Sequence, residues 1–121
     1  MTQEQKELLL KDISARLPYG VKISIPDLWT QEKEIEIFDE IFKGDDGLYR
    51  VNSKGQCIEH IKPYLFPISS ITNEQKEDMI KSSCGIGSDK NVFDWYNKNH
   101  IDYRRLIPMG LAIDATGLNI Y

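Results

Sequence analysis

From Val21 to Phe66 the apolar residues recur mostly at every second position, and that period limits the chain to folds that carry a sheet. Val21, Ile23 and Ile25 alternate with Lys22 and Ser24, which predicts a half-buried strand ending at Pro26. Residues 26–32 read as a loop carrying Leu28 and Trp29. Alternation resumes at Lys33 through Ile35 and Ile37, with Glu34 and Glu36 on the opposite, solvated face. It slips phase at Phe38 before Ile41 and Phe42, the signature of a bulge. Asp45-Asp46-Gly47 signals a turn, Leu48 to Val51 a third strand, and residues 52–55 a hairpin loop whose Gly55 suits a positive φ. Gln56 to Phe66 returns as a fourth strand. Pro63 has no N–H to give a ladder, so that strand is expected to run along an edge or to leave the sheet there.

Both flanks change to a helical period. Thr2 followed by Gln5 is a capping-box pattern, and Leu9, Leu10, Ile13 and Leu17 form one stripe of a helix from about Gln3 to Arg16. Pro18-Tyr19-Gly20 stops it. Thr72 and Gln75 repeat the capping box ahead of a helix to about Ser83, whose few apolar residues (Met79, Ile80) keep it on the surface. A glycine-containing loop spans Cys84 to Asn91. Val92 to Asn99 then reads as a helix that buries Phe93, Trp95 and Tyr96, with a short helix near Tyr103 to Ile107. The predicted class is α+β: an N-terminal helix, an antiparallel meander of about four strands, and C-terminal helices. At 121 residues this is one small globular domain, 1–121, large enough for a core without disulfide staples.

Charge narrows the function classes. The net charge is -4, and seven acids between Glu32 and Asp46 face only Lys33 and Lys43. Nucleic-acid binders rely on a basic footprint to neutralise phosphates, so nucleic acid is an unlikely partner. No apolar run is long enough to span a bilayer, the amino terminus lacks a signal-peptide pattern, and two cysteines make no disulfide framework. A cytoplasmic protein with reduced thiols is expected.

Four constellations bear on chemistry. Cys57, His60, Cys84 and His100 suggest zinc, but only the first pair is close, and residues three apart on a strand face opposite ways. No metal and no cofactor are therefore expected. Cys84, His100 and Asp102 make a possible nucleophile, base and orienter, against the plainer reading of a loop thiol and a helix-end histidine. Gly85 to Lys90 resembles a phosphate-cradling loop only in part, since it follows a helix and lacks the closing Lys-Ser or Lys-Thr. Glu34, Glu36, Asp39 and Glu40 have the ligand type for a divalent cation, or simply form a solvated strand face. Finally, Phe93, Trp95 and Tyr96 lie close in sequence to Tyr103, Arg104 and Arg105. Such residues build small cores and also dominate protein contact surfaces. Tyr103, Arg104 and Arg105 are the candidate binding residues, with both guanidinium groups expected in solvent.

Three segments carry a resemblance: Ala15-Arg-Leu-Pro-Tyr-Gly-Val, Ile61-Lys-Pro-Tyr-Leu-Phe-Pro-Ile-Ser-Ser-Ile-Thr, and Phe93 through Ile107 followed by Gly110-Leu-Ala. In these the chain resembles a family of small uncharacterised proteins from gut bacteria of the Bacteroides group and their phages and prophages. The resemblance implies a cytoplasmic setting and a mobile-element origin, and no catalytic residue. The function expected is that of a non-enzymatic accessory binding module engaging an unknown protein partner. The alternative is a small hydrolase or nucleotide-processing enzyme using Cys84 with His100, or a metal on the acidic strand.

Overall fold

The first helix starts where its sequence says it should. In the computed structural model, which describes residues 2–26, 33–52, 55–82 and 88–121, helix α1 covers Gln3–Ala15. The Thr2 hydroxyl accepts from Gln5 N at 3.1 Å, and the Gln5 side chain accepts from Thr2 N at 3.0 Å. Two otherwise orphaned N–H groups are thus satisfied. A 3₁₀ turn, Leu17–Tyr19, and Gly20 at φ 67° then reverse the chain. A side chain at that φ would be strained, which explains the glycine.

Strands β1 (Lys22–Pro26), β2 (Lys33–Ile37), β3 (Ile41–Lys43), β4 (Tyr49–Val51), β5 (Gln56–Cys57) and β6 (Lys62–Pro67) follow. Helices α2 (Asn73–Ser82) and α3 (Ser88–Lys98) and two short strands, β7 (Ile101–Asp102) and β8 (Ile113–Asp114), complete the described elements. The class is α+β with an N-terminal helix. The strands, however, divide over two sheets. One has the order β2-β1-β6-β7 with β8 also on β6, and the other is β3-β4-β5. β7 and β8 join β6 in parallel, so the larger sheet is mixed.

Three expectations need correction. The phase slip at Phe38 is not a bulge within one strand. Phe38 N donates to Val21 O at 2.8 Å, its ring enters the core, and the chain passes from the larger sheet to the smaller one. Pro63 does not put its strand on an edge. β1 engages β6 only at Lys62 and Pro63, β8 at Tyr64 and Leu65, and β7 at Phe66 and Pro67. The missing N–H therefore falls on the last rung of one neighbour, and the break expected there occurs earlier, at the 3₁₀ turn Ile58–His60. Lastly, the isoleucines of β2 are not its buried face. Glu34 and Glu36 stand opposite Ile25 and Ile23, whereas Ile35 and Ile37 share the face of Ser24 and Lys22 and are 47% and 56% exposed.

Asn52 joins the two sheets. It is buried with φ 57°, a conformation asparagine tolerates better than most residues. Its amide nitrogen donates to Ile37 O (3.0 Å) and Glu36 Oε2 (3.2 Å), and its oxygen accepts from Asp39 N (3.0 Å). Leu9 and Ile13 of α1 belong to one buried apolar cluster with Ile23, Ile25, Phe38 and Leu65. Tyr121 Oη bridges β1 and β6, accepting from Lys22 N at 2.8 Å and donating to Tyr64 O at 2.7 Å. Residues 26–32, expected as a loop, lie outside the described residues beyond Pro26, which ends β1.

Candidate functional site

Position 12 and position 16 are one helical turn apart on the flank of the Leu9–Ile13 stripe, so α1 carries an ion pair into the core. Asp12 and Arg16 are both fully buried. Arg16 Nε donates to Asp12 Oδ2 at 2.9 Å and Nη2 to Oδ1 at 3.0 Å, a fork-to-fork pair. The same Nη2 reaches Ile101 O at 2.6 Å and so ties α1 to β7. Arg104 adds a second guanidinium, its Nη1 3.7 Å from Asp12 Oδ1. Nη1 of Arg16 and Nη1 of Arg104 are both buried without a hydrogen-bond partner. Two cations share one carboxylate. The expectation of a free Arg104 head is corrected: its side chain is 18% exposed and turned toward Asp12.

Above this pair lies an aromatic run. Tyr103 stacks on Tyr96 (5.3 Å, 19°) and leans on Phe93 (5.4 Å, 39°). The guanidinium carbons of Arg104 and Arg16 lie 4.7 and 5.4 Å from the Tyr103 ring centre, within cation–π range. Phe93 and Trp95 were expected to be buried together, but two residues apart on a helix point to nearly opposite sides. Trp95 takes the core side at 4% exposure, with Nε1 donating to Asp78 Oδ2 at 2.8 Å, while Phe93 is left 48% exposed. No helix forms from Tyr103 to Ile107 either. Asp102 accepts from Leu106 N (2.8 Å) and Ile107 N (2.9 Å), which closes a loop and holds Arg105 exposed at φ 60°.

The triad reading fares differently residue by residue. Cys84 lies outside the described residues, as do Gly85 to Gly87 of the glycine-containing loop. Asp102 is buried and spends both oxygens on the loop amides, and no hydrogen bond joins it to His100. Cys57 ends β5 and His60 ends the 3₁₀ turn, so they do not share a strand as expected. The Cys57 thiol accepts from Arg50 Nη1 at 3.1 Å. Among the described residues no three His, Cys, Asp or Glu side chains come together, those of the acidic strand included.

His100 stands at the mouth of a cleft of about 520 Å³ between β6, the start of α2 and the end of α3. It follows the end of α3 with φ 59°, where glycine is the usual residue and any other costs about 1 kcal/mol. That backbone lays the imidazole flat on Tyr121, with ring centres 3.9 Å apart and planes 16° from parallel. Burial holds the imidazole down at about 4, below its ordinary 6.5, and the charges of Arg16 and Lys22 push the same way. Burial also drives the Tyr121 phenol up to about 12.

A pH dependence follows. The unfolded chain binds the His100 proton near pH 6.5, the folded chain only near 4, so the neutral ring contributes its stability above pH 6.5. That contribution is lost as the pH falls from 6.5 through about 4. His100→Asn keeps a residue tolerant of the left-handed backbone and removes the titration. Melting curves of parent and variant between about pH 7 and pH 4 should converge or cross as acid is added; curves that stay parallel would refute the assignment.

The residues that sequence reasoning missed are Asp12, Arg16 and Tyr121. An Asp–Arg pair at i,i+4 beside an apolar stripe was the available signal for the first two. Tyr121 gave none. No family model, curated protein or solved structure matches the chain. No helix among the described residues is long and apolar enough to cross a membrane.

Proposed function

We propose that this chain is a non-enzymatic accessory module that engages a protein partner through Phe93, Tyr96, Tyr103 and Arg105, with Arg104 turned inward behind Tyr103. The observation that carries this reading is Phe93, an aromatic ring 48% exposed yet held in place against Tyr103. Aromatic and arginine anchors supply most of the energy of protein contacts. An anchor already fixed by its neighbours loses less side-chain entropy on binding. Tyr103 is fixed by Tyr96 and the guanidinium groups of Arg16 and Arg104, and Arg105, two residues on, is exposed. The withdrawal of Arg104 toward Asp12 also removes a charge from any basic face, which supports a protein partner over a nucleic acid. A cytoplasmic role in a mobile-element setting is part of the same proposal.

Capture from host-cell lysate with the parent, Phe93→Ser and Arg105→Glu, read by quantitative mass spectrometry, tests this. A protein retained by the parent should be lost about tenfold or more in each variant, with the melting temperature unchanged in Arg105→Glu and lowered only modestly in Phe93→Ser, both variants remaining folded. Equal capture by parent and variants would overturn the reading.

A further inference from the structure

A second region shares no residue with that surface. The cleft beside His100 has a wall of rings, Phe66 and His100 on either hand of Tyr121, at 5.7 and 3.9 Å between ring centres. Its polar lining is cationic or neutral. Among the described residues that line it there is no Asp or Glu side chain, although acids outnumber bases in the chain 19 to 15. The exposed Lys98 lines the cleft, as do Thr72, whose hydroxyl caps α2 by accepting from Gln75 N at 3.2 Å, and Thr116. Ile101 also lines it, and the carbonyl of Ile101 is held by the fully buried Arg16, whose Nη1 has no hydrogen-bond partner. Arg16 is itself paired with Asp12, so the cation of the lining is Lys98. Sites for small molecules combine such an apolar wall with a few convergent polar groups in a volume of this order.

We propose that this cleft binds a small organic anion, a flat apolar body bearing a carboxylate or phosphate group. The body lies against Phe66 and Tyr121, and the anionic group meets Lys98 and the two threonine hydroxyls. Neither a neutral ring nor a bare inorganic anion uses both parts of the lining, so each should bind more weakly than a molecule that joins them.

The probes are phenyl phosphate and benzoate, with inorganic phosphate and phenol as the two half-ligands, each titrated into the full chain and followed by amide chemical shifts. At least one of the joined probes should saturate below about 1 mM, with shifts confined to residues 98–101, 116–121 and the first turn of α2. It should bind more tightly than either half-ligand. Lys98→Glu reverses an exposed charge without touching the core and should weaken that probe about tenfold at an unchanged melting temperature. His100→Asn, which keeps the backbone conformation, should weaken it through loss of the ring wall. No saturable shift with either probe, binding of phenol as tight as phenyl phosphate, or full binding by Lys98→Glu would each overturn the proposal. Because Phe93→Ser leaves this cleft intact, it should bind the probe like the parent, and failure here is separable from failure of the protein-contact reading.

Discussion

Asp12→Ala should bring the domain close to unfolding, at a cost of about 3–5 kcal/mol against the 5–15 kcal/mol typical of a domain this size. Among the described residues the carboxylate is the one anion given to the two guanidinium groups, and Arg16 is fully enclosed. Without it Arg16 keeps a single acceptor, the Ile101 carbonyl, and retains a full charge in the interior. Arg104 can swing outward, being partly exposed, but Arg16 cannot. Urea unfolding gives the measurement, and the double variant Asp12→Leu with Arg16→Met gives the control. Removing both charges and filling their volume with apolar atoms should recover most of the loss, since a buried pair contributes little beyond its apolar replacement. If Asp12→Ala unfolds at the parent's urea midpoint, the buried-charge account of this site fails.

Trp95→Ala should cost about 3–5 kcal/mol, the scale of a cavity left by a large ring. The indole is 4% exposed, contacts Tyr96 edge-on at 6.0 Å, and bonds through Nε1 to Asp78 of α2. Its loss therefore removes packing and the link between the two C-terminal helices together. Phe93→Ala on the same helix is the comparison, and should cost well under half as much because half of that ring is already in water. Urea denaturation of both variants decides the matter. Equal losses would mean that the two rings share a core, contrary to the helical geometry.

Thr2 with Gln5 and Thr72 with Gln75 were readable as helix starts, because a capping box is closed within four residues. Gly20 and Gly55 were readable as turns for the same local reason. Of the candidate binding residues, Arg105 is exposed and Tyr103 half-buried, while Arg104 turns toward Asp12. Nothing in the order Tyr-Arg-Arg says which guanidinium turns inward, since the carboxylate that attracts Arg104 lies on α1.

What the sequence by itself determined about this protein is its local structure and its class: helix starts, turns, the two-residue period of its strands, an α+β chain with an acidic balance. The tertiary structure alone decided which of those residues face one another. It placed β6 in the interior of a mixed sheet despite Pro63, sent Phe38 into the core, left Ile35 and Ile37 in the open, and set Tyr121 on His100. The physical reason is range. A cap or a turn is stabilised by partners a few positions away, whereas the burial of Arg16 depends on a carbonyl 85 residues further along the chain, and no local pattern encodes that separation.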